Sequence, residues 1–234
     1  FRDSWREIGW KHCSKHKVCI LTGNHQSHGC LTPQLGKLRR NKIRYSTRYG
    51  YKYIEETFGF HKSGPCHPNW NKVHAILKHL PDCKTLMWVD SDCVFTNLNT
   101  SIESFFKKYP DKDMLMNWPK TDKMLNSGVI LMKNTKIIRD FFHNITTGEN
   151  WTEDWCNGRK RDQGGIKDQI NAGYLEGKLV VERNDHFLQG LCGFKNGKCL
   201  WREHDYIAHF APPSCPELHG FIKDFFDKYP RFAK

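Results

Sequence analysis

Short apolar runs alternate with helix-like segments through roughly the first 100 residues, and few folds accommodate that alternation. "KVCILTG", residues 17–23, is expected to be a buried strand ended by Gly23. "LGKLRRNKIRYSTRYG" follows, with Leu35, Leu38, Ile43 and Tyr45 in helical rhythm and Gly50 placed as a C-terminal cap. "YKYIEE" is expected to be a second strand. In "NWNKVHAILKHL", 69–80, Val73, Ile76, Leu77 and Leu80 form one stripe of an amphipathic helix. "TLMWV" is then a buried strand, and "SIESFFKKY", 101–109, a short helix behind a Ser/Thr start signal. Such βαβ crossovers predict an α/β fold with a mostly parallel central sheet flanked by helices. In sheets of that kind ligands bind beyond the carboxyl ends of the strands.

The rest of the chain reads less regularly. "DMLMNW" and "SGVILMKN" are expected to be strands and "TKIIRDFFHNI" a helix. A stretch rich in Gly, Trp and charge spans 148–165, and "IKDQINAGY" looks helical. The tail holds the strand "KLVVE", a Gly/Cys loop at 190–199, the strand "YIAHFA" and a closing helix near "PELHGFIKDFFDKY".

"TLMWVDSDCVFTNLN" carries the chemistry. Asp90 and Asp92 leave the end of a buried strand one residue apart. In extended chain, residues i and i+2 face the same side with Cα atoms ~6–7 Å apart. Two carboxylates so close repel unless a positive charge lies between them. A divalent cation fits there, and a hard cation with oxygen ligands retains room for phosphate oxygens. The competing reading is an Asx-turn that merely ends the strand.

The formal charge is +12, with a local cluster at Lys37, Arg39, Arg40, Lys42 and Arg44. A basic surface favours anionic partners. No RNP-like sequence, zinc-finger spacing or heptad pattern accompanies it, so no nucleic-acid partner is expected, and a basic nucleic-acid-binding α/β domain stands as the rival reading on charge alone. No apolar run reaches the ~18 residues of a membrane span. The chain opens without Met and contains no signal-like apolar segment, a pattern expected of an excised domain. There are 10 cysteines, and Asn99, Asn144 and Asn150 open N-x-S/T sequons. If these are used, the chain belongs in the ER or Golgi lumen and carries disulfides; if not, it is cytoplasmic. Cys192, Cys199, His204, His209 and Cys215 offer zinc donors at spacings 7, 5, 5 and 6, which match no usual finger or ribbon; a disulfide among them is the stronger expectation.

"WVDSDCVFTN" resembles the D-x-D element of GT-A glycosyltransferases. "NKIRYSTRYGYKY", 41–53, resembles the Asn-Lys-Ile-x-Tyr segment and following turn of glycosyltransferase family 34. That group holds xyloglucan xylosyltransferases and fungal α-galactosyl and α-mannosyl transferases. "NWNKVHAILKHL", "LNSGVILMKN", "RDQGG" and "AHFAPPSC" resemble further family elements in the family's order, so the similarity spans about 17–216. One departure is the Ala-Pro-Pro that follows the late His-Phe. The resemblance implies a single GT-A domain over 1–234, with a nucleotide-binding part at about 17–100 and an acceptor and catalytic part at about 101–234. It implies sugar transfer from a nucleotide sugar to an oligosaccharide or glycoprotein glycan, with retention of configuration. UDP-xylose is the first donor expected, then UDP-galactose and GDP-mannose. A homodimer is left open.

Residue by residue, the resemblance implies that Asp90, Asp92 and His209 hold Mn²⁺ or Mg²⁺. A carboxylate–imidazole shell suits Mn²⁺ better. The other reading of His209 is a half-buried histidine. Thr22, Gly23, Asn24 and Ser91 are placed along the nucleotide. Asn41 and Tyr45, four apart on one helix face, are expected to line the same pocket, against a reading of Tyr45 as core and Asn41 as solvated. Lys72 is assigned to the diphosphate, where a solvent-facing lysine is the plainer alternative. Asn126 and Gly128 are assigned to the sugar, Gly128 because it permits close backbone approach. Asp162, otherwise an N-cap, and Gln163 are placed under the donor sugar as catalytic residues. Gln163 is a poor nucleophile and suits stabilisation of an oxocarbenium-like centre, leaving Asp162 as the nucleophile candidate.

Overall fold

The computed structural model describes residues 15–25, 31–58, 67–120, 125–147, 153–156, 161–193, 198–211 and 214–234. Its main sheet has six strands in the order β2-β1-β3-β6-β5-β7. These are β1 (His16–His25), β2 (Lys52–Phe58), β3 (Cys83–Val89), β5 (Met114–Asn117), β6 (Asn126–Lys133) and β7 (Leu179–Glu182). β1 runs parallel to β2 and β3, and β5 runs parallel to β7. Only β6 is reversed, antiparallel to both β3 and β5. The carboxyl end of β3 therefore lies beside the start of β6, where Asp90 N–H donates to the Gly128 carbonyl at 2.8 Å.

Both sheet faces are covered, which is why the strands read as continuous apolar runs rather than alternating ones. Cys19, Leu21, Leu86, Trp88, Ile130 and Met132 face one layer, packed by α2 (Asn71–His79), α4 (Lys136–Thr147) and α6 (Arg161–Asn171). Val18, Ile20, Met87, Val89, Val129 and Leu131 face the other, against Tyr45 of α1 (Leu35–Tyr49), Ile102 of α3 (Ile102–Lys108) and Phe95 of β4 (Cys93–Phe95). A one-residue register slip would exchange these two sets. The helix ends follow their signals: Gly50 caps α1 at φ 67°, and the Ser101 side chain accepts from Ser104 N–H at the start of α3.

The tail differs from expectation. Residues 190–199, expected as a loop, contain β8 (Gly190–Gly193) and β9 (Lys198–Cys199). With β4 and β10 (Ile207–Phe210) they form a second sheet in the order β4-β10-β8-β9, packed by α7 (Cys215–Lys228) through Phe210, Ile222 and Phe225. Cys192 and Cys199 face each other across β8 and β9 and form a disulfide, and Cys215 is also disulfide-bonded. The zinc alternative therefore loses three of its five donors. A second disulfide, Cys19–Cys83, ties β1 to the start of β3. α6 begins at Arg161, earlier than its apolar rhythm suggested, and takes in the whole of "RDQGG". Gly165 is needed there, because a Cβ would lie 2.8 Å from the Trp70 ring. The short helix α5 (Glu153–Cys156) falls within the stretch at 148–165.

Candidate active site

Asp90, Ser91 and Asp92 form the turn between β3 and β4, closed by Cys93 N–H donating to the Asp90 carbonyl at 3.2 Å. The turn borders a cleft of about 240 Å³ lined by Gly23, Asn69, Lys72, Trp88, Asp90 and Asp92 among others. His209 arrives from more than a hundred residues downstream. Antiparallel pairing of β10 with β4 sets His209 opposite Cys93, and Phe210 N–H donates to the Asp92 carbonyl at 3.3 Å. His209 Nε2 is thereby 3.4 Å from Asp92 Oδ1 and 4.0 Å from Asp90 Oδ2.

These residues fit a divalent cation. Asp92 Oδ1 is buried and makes no hydrogen bond of good geometry, with His209 Nε2 3.4 Å away. A buried acceptor left in this state is costly unless a ligand completes it. Burial works against a charged His209, but Asp92 and Asp90 outweigh it and hold its pKa above the ordinary imidazole value. Among the described residues, Asp92, Cys93 and His209 bring donor atoms within 4.8 Å of one another. Burial, then Asp92 and Asp90, push the Cys93 thiol well up, which favours the thiol over the ligating thiolate. Asp90, Asp92 and His209 offer oxygen and imidazole donors better suited to a hard cation than that thiol.

Lys72 lines the cleft beside Asp90. Its ammonium is buried and contacts Ser127 O and Oγ, each at 2.9 Å, and Asp162 Oδ2 and Asp90 Oδ1, each at 3.2 Å. Burial alone would lower its pKa, but Asp162 and Asp90 raise it. So engaged, Lys72 ties two carboxylates together at the floor of the cleft rather than reaching freely for a diphosphate. Asp90 also accepts from Trp88 Nε1–H at 2.6 Å. Burial lifts the Asp90 carboxyl above its usual range against the pull of Lys72, with Asp92 adding to the rise.

Asp162 lies in the first turn of α6 but does not act there as an N-cap. It is 1% exposed and accepts from Ser127 Oγ–H at 2.7 Å, while its Oδ1 has no partner. Arg161, just before it, holds φ 48°, a left-handed value uncommon outside glycine. Gln163 Oε1 accepts from Ser127 N–H at 3.1 Å, so Asp162 and Gln163 both border the start of β6. Asn126 Oδ1 accepts from Gly128 N–H at 2.8 Å. Gly128 makes room for His209: a Cβ there would lie 2.2 Å from His209 Cε1.

Thr22 is buried, with Oγ1 unpartnered, beside a small cavity shared with Lys42, Tyr53, Glu55 and Ser91. The side chain of Asn24 lies outside the described residues. Asn41 and Tyr45 do not line the cleft. Asn41 is fully buried; its amide donates to the Phe95 and Phe232 carbonyls at 3.0 and 3.1 Å and accepts from Phe95 N–H at 2.7 Å. Tyr45, also fully buried, stacks on Phe95 with ring centroids 4.0 Å apart and donates to the Thr100 carbonyl at 2.7 Å. The residue between them reaches the site instead. Lys42 Nζ donates to the Ser91 carbonyl at 2.9 Å and the Cys93 carbonyl at 2.8 Å, gripping the turn on either side of Asp92. Burial pushes its pKa down despite the nearby acidic groups. Lysine in a helix is ordinarily solvent-facing, and the one signal for this residue was its place as the Lys of the Asn-Lys-Ile-x-Tyr segment. Gln189, also unforeseen, is fully buried between Asn126 and His209.

Comparison with known proteins bears on the family and the fold. The pattern of the galactosyl transferase GMA12/MNN10 family matches residues 14–117. Glycosyltransferase 6 of Arabidopsis thaliana is 26% identical over 153 residues, covering 57% of this chain and 33% of that protein. Galactomannan galactosyltransferase 1 of Cyamopsis tetragonoloba is 24% identical over 146 residues, covering 55% of this chain and 32% of that protein. The chain thus spans about a third of the length of the curated relatives it matches. A glycosyltransferase involved in the glycosylation of the major capsid of PBCV-1 superposes with TM-score 0.65 at 17% identity, covering 89% of this chain and 99% of that one. The galactosyltransferase LgtC, solved with donor and acceptor sugar analogs, superposes with TM-score 0.59 at 9% identity, covering 92% of this chain and 96% of that one. At those identities the likeness speaks to the fold, which is GT-A. By its match over 14–117 the chain is similar to the galactosyl transferase GMA12/MNN10 family, and its fold is that of GT-A glycosyltransferases.

Proposed function

We propose that this chain moves a sugar from a nucleotide-sugar donor to a saccharide hydroxyl, with a divalent cation held by Asp90, Asp92 and His209. The observation that carries the reading is the convergence of His209 Nε2 on both aspartates of the D-x-D turn, at 3.4 and 4.0 Å, across a sheet pairing remote in sequence. When bound, the cation supplies Lewis-acid stabilisation of the negative charge that develops on the departing diphosphate. The protein's own part is to hold the carboxylates in place. Lys42 fixes the turn through two carbonyls, and Lys72 fixes Asp90 relative to Asp162. We read the buried, unpartnered Oδ1 of Asp162 as an acceptor for a hydroxyl of the donor sugar, with Gln163 next to it on the same helix. With Asp162 tied to Lys72 and Ser127, it serves better as an orienting acceptor than as a nucleophile. Gln163 is then the group that stabilises an oxocarbenium-like centre, consistent with retention.

The donor we favour is a UDP-sugar. UDP-xylose follows from "NKIRY", and UDP-galactose from the galactosyltransferases among the relatives. The disulfides, together with the exposed Asn99 sequon, support folding in an oxidising lumen such as the ER or Golgi. The test is release of UDP from UDP-xylose and UDP-galactose with Mn²⁺, with and without saccharide acceptors. Turnover of at least one donor, lost in Asp92→Ala with the melting temperature retained, is the expected result. No turnover of either donor, or full activity in Asp92→Ala, would overturn the reading.

A further inference from the structure

Gln189 lies in the segment joining β7 to β8, away from every motif in the sequence, yet it is fully buried against the candidate metal centre. Its orientation follows from hydrogen-bond polarity alone. A backbone N–H can only donate, so the Asn126 atom 2.8 Å from Gly128 N must be the amide oxygen. That same oxygen lies 2.8 Å from the Gln189 amide, which must therefore present its NH₂ group to it. The Gln189 oxygen is then turned to His209 Nδ1, 2.8 Å away. An amide oxygen only accepts, so Nδ1 carries the proton. Because the chain is anchored on a backbone group, it escapes the ambiguity that usually attends amide flips and imidazole tautomers.

We propose that Gln189 is a positioning residue that fixes His209 in its Nδ1–H tautomer, which leaves the Nε2 lone pair facing Asp90 and Asp92 as the imidazole ligand for a divalent cation. Nε2 is the nitrogen nearest both carboxylates. Gly128 completes the arrangement, since the ring occupies the space a Cβ would fill. Histidine ligands are commonly oriented by a hydrogen bond to the other ring nitrogen, and losing that partner typically costs 10–100-fold in metal affinity. The cation half of this inference rests on the function proposed above; the tautomer half does not.

Two measurements on the full chain test it. The first is a long-range ¹H–¹⁵N correlation spectrum of protein labelled at histidine, recorded at alkaline pH where the imidazole is neutral and assigned with His209→Asn. Protonated Nδ1 is expected; protonated Nε2 overturns the proposal. The second is Mn²⁺ binding followed by electron paramagnetic resonance, without substrate. Gln189→Leu and Asn126→Leu should each weaken Mn²⁺ by about 10–100-fold. The double variant should lose little more than either alone, because the two act through one chain of bonds. Wild-type affinity in folded Gln189→Leu overturns the cation half. If that variant does not fold, the wild-type spectrum still decides the tautomer. A protein that transfers no sugar, yet shows protonated Nδ1 and Mn²⁺ binding weakened by Gln189→Leu, would end the proposed reaction and leave this inference standing.

Discussion

Gly128 has the smallest side chain in the site and one of the tightest constraints. A methyl group there meets His209 Cε1 at 2.2 Å and Nδ1 at 2.7 Å, so Gly128→Ala must move the imidazole or the strand. We expect turnover to fall more than ~10-fold, with a stability loss of about 1–3 kcal/mol from overpacking. Kinetics and urea melts on one preparation check this; unchanged turnover would show that the ring position is unimportant. Lys42 makes a parallel case. Lys42→Met keeps the buried stem and removes both bonds to the turn, leaving two carbonyls without their donor. A ~10–100-fold fall in turnover is expected, of the size seen when groups supporting a metal ligand are lost. At this scale the sequence was legible where types repeat a known chemistry, as at Asp90 and Asp92. It misled where helical spacing left the direction of a face undetermined. Asn41 and Tyr45 do share a face, but their polar tips end on buried carbonyls, and Lys42 reaches the turn.

The pairing of β4 with β10 assembles the site, and neither strand reads as decisive in sequence. β4 is only three residues long, too short for its apolar residues to show a strand period. Its partner lies more than a hundred residues away, so no local pattern could reveal the register that sets His209 opposite Cys93. The late histidine was recognisable through family resemblance, not through periodicity. The strands of the main sheet were legible because burial on both faces leaves long apolar runs. β8 and β9 were missed because a four-residue and a two-residue strand rich in glycine and cysteine give no period to read. Asn41 is the clamp on β4, bonding both backbone groups of Phe95. Asn41→Leu leaves a buried N–H and two carbonyls unpaired and should cost about 2–4 kcal/mol. Urea unfolding measures that cost, and a change below ~0.5 kcal/mol would show that β4 is held by other means.

Across the whole molecule, disulfides and charge set the conditions for stability. Cys19–Cys83 closes a loop of 64 residues, and its reduction should lower stability by about 2–4 kcal/mol. Matched thermal melts with and without reductant read this directly; identical melts would show the bond to be dispensable. Glu55 and Glu56 set the acid limit. Burial works against their charged forms, but Arg39 and Tyr53 at Glu55, and Lys78 and His79 at Glu56, outweigh it and hold both carboxyls below their ordinary values. Groups of this sign contribute stability that is fully present above the unfolded value of about 4.3 and is lost as pH falls through the native values. Melting temperature should therefore decline below about pH 4.3, and less steeply in a Glu55→Gln, Glu56→Gln double variant. The most direct measurement is anomalous diffraction at the manganese edge from crystals grown with UDP and MnCl₂. A single peak within bonding distance of Asp90, Asp92 and His209 Nε2 is predicted. No peak there, with Asp92 instead satisfied by protein donors, would contradict the metal-dependent mechanism.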